Sequence, residues 1–287
     1  MSSFDFEKIL TTGASGMIGS YVHFGMRPNR EELDITDAEA VMQYVQAHKP
    51  SAILHLAGAT DMARCESEPA YAYELNVRGT YDIARAARAV GAVMVYASTS
   101  RVFKGDKETP YAEEDIPDPD THYGRTKHIG ELIVASIVPH HIIARTSWIF
   151  GGGPERDNKF YGKVLKQLQS GKPEVVALDD VHGSPTYGRD YLNATKELLA
   201  KREYGTFHIA NSGEATRYDL AVAMATHIKS DAQVSAVDRS HFASGATLPA
   251  NESISSTRVA LRPWQEALTE YVRDEWSPHP QSATITA

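Results

Sequence analysis

Apolar residues along this chain follow two rhythms that alternate through its first half. Short unbroken runs, Lys8-Ile-Leu-Thr-Thr12, Ala52-Ile-Leu-His-Leu-Ala57, Ala92-Val-Met-Val-Tyr-Ala97 and His140-His-Ile-Ile-Ala144, read as strands buried on both faces. Helical spacing fills the intervals. Thr36-Asp-Ala-Glu39 has the form of a capping box, opening a helix that turns Val41, Met42 and Val45 inward and stops before Pro50. A long helix is predicted over 69–90, with Gly91 as its stop. His55 lies inside a strand run and reads as a hydrogen-bonded core histidine. Alternating strands and helices predict an α/β fold with a doubly wound parallel sheet. One interval is too short for that plan: only Ser20 to Glu32 separates the first turn from Leu33-Asp-Ile-Thr-Asp37. A shortened first helix and a truncated or missing second strand are therefore expected.

The first strand runs into Gly13-Ala-Ser-Gly16-Met-Ile-Gly19, a glycine-rich turn opening a helix. Glycines are required where backbone turns tightly and approaches a pyrophosphate, whose charge the helix N-terminus stabilises. The turn thus predicts a bound dinucleotide and a sheet of the Rossmann type. About 20 residues past the first glycine, where a ribose-binding carboxylate is expected, stand Asn29, Arg30 and then Asp34. Arg27 and Arg30 could grip a 2′-phosphate, which favours NADP(H) with NAD(H) as the alternative; arginines in a solvated loop account for the same pattern. Thr99 follows a buried run, so its hydroxyl emerges at the carboxyl end of a strand, where open α/β sheets hold ligands. Tyr123 and Lys127 are four apart on a predicted helix and share a face. An ammonium beside a phenol lowers a pKa that is normally ~10, which suits general acid–base work.

After Gly151 the texture changes to smaller units: a loop to Lys159, helices over 160–169, 190–201, 216–228 and 263–275, and strands at Glu174–Leu178 and Thr206–Ala210. Residues 1–150 are read as the dinucleotide-binding domain. Residues 151–287 are read mainly as a smaller C-terminal substrate-binding lobe, with some elements returning to the sheet. The tail from Ser277 is expected to fray.

Composition narrows the class. The 287 residues are 42% hydrophobic and 23% charged, enough for one sizeable core or two small ones. No run of 18 apolar residues predicts a membrane span. The start, Met-Ser-Ser-Phe-Asp-Phe-Glu, lacks the basic and apolar regions of a secretory signal. A single cysteine, Cys65, forms no internal disulfide and suits a reducing, cytoplasmic setting. A net charge of −8 without a basic run counts against nucleic acid as a partner.

With the glycine turn, Thr99, Tyr123 and Lys127 in this order, the chain resembles an extended short-chain dehydrogenase/reductase. Leu33-Asp-Ile-Thr-Asp37, His55-Leu-Ala57, Ser98-Thr99 with Val102-Phe103, Tyr123-Gly124, Arg145-Thr-Ser-Trp148 and Gly183-Ser-Pro-Thr186 narrow the resemblance to the dTDP-4-dehydrorhamnose reductase family, from about Lys8 to Trp276. The resemblance implies NAD(P)H-dependent reduction at C4 of a dTDP-linked 4-keto-6-deoxy sugar, in dTDP-rhamnose biosynthesis. It implies that Tyr123 donates the proton, Thr99 hydrogen-bonds the carbonyl and Lys127 holds the nicotinamide ribose. Gly13, Ser15, Gly16, Met17, Ile18 and Gly19 would line the pyrophosphate, Asp34 and Ile35 the adenine, and Ala57, Gly58 and Ala59 the cofactor ribose. Trp148 would pack beside the sugar or base, or fill the core between sheet and lobe. A homodimer is compatible with the resemblance, and no metal is expected.

Three departures from the family pattern bear on the substrate. Ser100 and Arg101 stand where the family usually has Asp-Tyr near the sugar, Val181 where it has Gln, and Asn251-Glu252 where it has Arg-Pro. Arg101 would meet a phosphate or carboxylate, or form a salt bridge. Two other readings follow from the same residues: a nucleotide-sugar epimerase or dehydratase of the superfamily, with Ser100 arguing against the dehydratase, and a non-catalytic NADP-binding regulatory subunit resembling the methionine adenosyltransferase β subunit.

Overall fold

The structure, a computed structural model, describes residues 4–242 and 249–276; the tail from Ser277 lies outside them. β1 (Ile9–Thr12), β2 (Ala52–His55), β3 (Val93–Thr99), β4 (His141–Thr146) and a fifth strand, Gly205–His208, form one parallel sheet in that order. Successive side chains point to opposite faces, and the sequence serves both. Ile9, Leu54, Val95 and Ala144 join Tyr191, Leu192 and Leu198 in one core. Leu10, Ile53, Met94 and Tyr96 join Val41, Val45, Ile83 and Val134 in the other. Fully burying one such aliphatic side chain contributes roughly 1.5–3 kcal/mol, so the register of each strand is set from both sides.

α1 (Ala38–His48), α2 (Met62–Ser67), α3 (Pro69–Tyr73), α4 (Thr80–Val90) and α5 (His122–Ile137) precede the lobe. α1, α4 and α5 cover one face, and the helix Gly188–Lys201 returns from the lobe to cover the other. The missing elements are as expected from length. After the glycine turn only a 3-10 turn, Gly19–Tyr21, forms, and the chain touches the sheet edge as a single bridge between Met26 and Leu10. Met26 there donates to Ile9 at 2.8 Å and accepts from Thr11 at 2.8 Å.

Two local expectations need correction. The N-cap of α1 is Asp37, which accepts from Glu39 and Ala40 at 3.1 and 3.0 Å, whereas the Thr36 hydroxyl donates to Asp34 at 2.8 Å. Asp37 lies one residue nearer the first helical amides, and Thr36 is already engaged. The predicted helix 69–90 is continuous but carries a π-helical segment, Glu74–Gly79, between α3 and α4. Gly91 ends it in the left-handed conformation at φ 72°.

The lobe has its own core, with Tyr161, Leu165, Leu220, Met224, Trp264 and Leu268 among its buried members. Glu174–Leu178 pairs in parallel with Gln233–Val237, and the helix Arg217–His227 opens with a capping box from Thr216 and Asp219. No helix among the described residues is long and apolar enough to cross a membrane.

Candidate active site

The carboxyl ends of β1 and β2 border a cleft of about 440 Å³. Its floor is the glycine turn. Gly13 sits at φ 73°, and a Cβ there would lie 2.5 Å from the Ala57 amide nitrogen; one on Gly19 would lie 2.5 Å from the Gly13 carbonyl. Only bare backbone fits both places, so the turn lies directly on the end of β2. Gly13, Ser15, Gly16, Met17, Ile18, Gly19, Ala57 and Gly58 all face the cleft, and Asn29, Arg30, Asp34 and Ile35 close its far end. Asp34 accepts from the Thr36 amide and hydroxyl at 2.9 and 2.8 Å, bonds that hold its carboxyl below the usual range. Arg30 pairs with Asp34 at 3.2 Å, and its side chain is 76% exposed, free to swing over the cleft.

Two expected members are placed elsewhere. Arg27 turns away to donate to the Val22 carbonyl at 2.8 Å. Ala59 is not on the cleft wall, because its amide and carbonyl are both taken by Asn76, at 2.8 and 3.1 Å. Asn76 sits on the π-helical segment and also donates to the Thr126 hydroxyl at 3.1 Å, tying the β2 loop to the Tyr–Lys helix. π-Helical insertions concentrate at functional sites because they re-aim one side chain.

A second cavity of about 140 Å³ opens beside the first, with Thr60, Ile149 and Lys159 as shared walls. Thr99, Ser100, Arg101, Tyr123 and Trp148 line it. Gly124 brings them together: a Cβ there would meet the Arg101 carbonyl at 2.2 Å, so the first turn of α5 rests on the 3-10 turn Ser100–Val102. Thr121 caps the helix, accepting from Gly124 at 3.1 Å. The Thr99 hydroxyl oxygen accepts from the Arg101 amide at 3.2 Å and the side chain hydrogen-bonds the Tyr123 phenol.

The expected electrostatics are reversed. Burial pushes the Tyr123 phenol up to about 12, and what pulls it back is the Thr99 hydroxyl and the Arg101 guanidinium. Lys127 lines neither cavity; its Nζ lies 4.1 Å over the ring of Tyr96, and burial brings it down to about 7 against the opposing pull of Glu131. Desolvation of both groups outweighs their shared helix face. His55 is the neutral core residue expected, bonded to Thr12 and Thr80 and held at about 3 chiefly by burial. Cys65 is buried, packed in a small cluster that includes Tyr123.

Trp148 sits between cavity and core. It lines the small cavity and also belongs to the lobe core, at an unusual φ of 38° for a bulky residue. Arg217 stacks on its ring at 3.7 Å. Lys159, Arg156, Arg217 and Glu252 carry no motif and were not foreseen as wall residues. They come from helix ends and a short strand, Asn251–Glu252, that only the tertiary fold brings to the sheet.

Relatives share this arrangement nearly end to end. The dTDP-4-dehydrorhamnose reductase of Streptomyces griseus is 35% identical over 292 residues, covering 94% of each chain. The crystal structure of the dTDP-4-dehydrorhamnose reductase from Yersinia enterocolitica, 36% identical, superposes with a TM-score of 0.86 over 92% of this chain and 98% of its own. That of the Bacillus anthracis reductase in complex with NADP, 28% identical, gives a TM-score of 0.88 over 92% and 98%. With the family described as RmlD substrate binding domain matching residues 7–276, the chain belongs to that family.

Proposed function

We propose that this protein is an NADPH-dependent reductase of the C4 ketone of a dTDP-linked 4-keto-6-deoxy sugar. The observation that carries the reading is the pair of adjoining cavities: Thr99 and Tyr123 face the smaller one, and it shares walls with the cleft over the glycine turn. The cradle at Gly13 and Gly19, which any side chain would fill, fits the pyrophosphate of a dinucleotide. When bound, the nicotinamide supplies the hydride. Everything else falls to the chain. Thr99 accepts from the Arg101 amide and hydrogen-bonds the Tyr123 phenol, so the two hydroxyls converge on the place where a carbonyl oxygen would sit. Tyr123, raised to about 12, stays protonated at neutral pH and serves as the acid that completes the alcohol. Arg101 favours the phenolate left behind. Lys127 stands one helical turn after Tyr123 with its Nζ over the ring of Tyr96, so holding the cofactor ribose, the role the family resemblance implies, requires its side chain to turn towards the cleft.

NADP(H) is the preferred cofactor, because Arg30 reaches the far end of the cleft where a 2′-phosphate would lie and the Bacillus anthracis relative holds NADP. NAD(H) remains the alternative. The test is cofactor oxidation on dTDP-4-dehydro-L-rhamnose, with NADPH and NADH separately. Tyr123→Phe is expected to lower turnover by about 10²–10⁴-fold, the usual contribution of a placed acid, with cofactor affinity nearly unchanged. Full residual turnover overturns the proton-donor role. Cofactor binding without turnover of any 4-keto nucleotide sugar overturns the reductase reading itself.

A further inference from the structure

Arg101, Lys159, Arg217 and Glu252 all line the small cavity, and within it Arg101 and Glu252 approach each other without a hydrogen bond. Arg101 is 8% exposed, and Nη1 lies 3.7 Å from Glu252 Oε1, an ion-pair distance too long for a hydrogen bond. Among the described residues its Nε has no partner. Glu252 is held in place through its backbone, whose carbonyl accepts from Ser147 at 2.8 Å, and its side chain is 14% exposed. Both side chains line the cavity that holds Thr99 and Tyr123. Burying a guanidinium and a carboxylate is costly unless hydrogen bonds complete them. The gap between them asks for a group that accepts from one and donates to the other.

We propose that Arg101 and Glu252 form a donor–acceptor clamp for the ring hydroxyls of the sugar that carries the ketone. This rests on the reductase reading and names the part of the substrate that the pair selects. A hydroxyl accepts from the guanidinium and donates to the carboxylate at once. The clamp therefore selects a hydroxylated ring over a deoxy one.

The test separates affinity from turnover. With NADP⁺ present, calorimetry measures the binding of dTDP-L-rhamnose and of its 2-deoxy and 3-deoxy counterparts to wild type, Arg101→Met and the isosteric Glu252→Gln. Wild type should bind the hydroxylated sugar at least about tenfold more tightly than one of the deoxy sugars, the lower range for a hydrogen bond to a charged group. Both variants should lose that factor on dTDP-L-rhamnose and less than about threefold on that deoxy sugar, so that discrimination collapses. Equal loss on all ligands, or no discrimination by wild type, overturns the clamp. Glu252→Gln guards against a folding defect in Arg101→Met, since it keeps shape and removes only charge. Discrimination in binding with no reduction of the 4-keto sugar upholds the clamp and overturns the reductase reading. Failure to bind dTDP-L-rhamnose overturns both.

Discussion

Replacing Glu131 with Gln removes the charge that pins the catalytic helix to the sheet. Glu131 and Arg145 have side chains 3% and 6% exposed and meet in a two-pronged ion pair, Nε to Oε1 and Nη2 to Oε2, both at 2.8 Å. Ser98, next to Thr99, donates to the same carboxylate at 2.6 Å, and His128 lies 3.3 Å away. Burial alone would raise this carboxyl; Arg145, His128 and Ser98 more than reverse it and hold it at about 2 against an ordinary 4.5. At about 1.4 kcal/mol per unit, that difference corresponds to roughly 3 kcal/mol. Breaking a buried ion pair from one side costs about 3–5 kcal/mol by a separate line of reasoning. Guanidinium unfolding at pH 7 should therefore show Glu131→Gln destabilised by about 3 kcal/mol. Because the folded carboxyl is depressed, its contribution is complete above about pH 4.5 and fades as pH falls towards 2. The gap between wild type and variant should narrow across that window. Removing both charges, as Glu131→Gln with Arg145→Met, should recover at least half of the loss, since no charge is then stranded. A loss under about 1 kcal/mol at pH 7, or a gap that is the same at pH 7 and pH 3, refutes the reasoning.

Arg30→Ala should weaken NADPH binding about tenfold, the scale of one charge-assisted bond at an exposed site, and leave NADH binding within twofold; equal effects on both remove the case for a 2′-phosphate contact. Lys127 gives up its proton as pH rises through about 7 in the cofactor-free protein. Cofactor affinity measured by fluorescence titration should accordingly fall between pH 6 and 9, and a flat profile contradicts a role for the ammonium. Gly124→Ala drives a Cβ to 2.2 Å from the Arg101 carbonyl. Its helix-propensity gain of about 1 kcal/mol cannot offset that clash, so both melting temperature and turnover should drop, and a stabilised, active variant contradicts the packing described.

The sheet and the cofactor cleft were legible because burial on both faces leaves continuous apolar runs and because tight backbone contact demands glycine at Gly13 and Gly19. The short interval from Ser20 to Glu32 reported the missing helix and strand by length alone. What stayed hidden depends on burial and on distant chain. No residue type at Glu74–Gly79 announced a π-helical turn, so nothing marked Asn76 as the clasp on Ala59. Spacing put Lys127 beside Tyr123 but said nothing of how deeply either is desolvated, and desolvation decided both pKa values. Lys159, Arg217 and Glu252 reach the small cavity from loops and element ends far along the chain, where no periodicity points to them. Arg101 and Glu252 were each visible as departures from the family pattern, yet their pairing emerged only in three dimensions.

The measurement that tests the central claim most directly follows deuterium from NADPH labelled at the nicotinamide C4 into the sugar. The account predicts label at C4 of the sugar ring, one equivalent per cofactor oxidised, with transfer slowed by about 10²–10⁴-fold in Tyr123→Phe. Label at another ring carbon, or turnover that interconverts sugars with no net oxidation of NADPH, would contradict reduction of the C4 ketone and point to an epimerase or dehydratase.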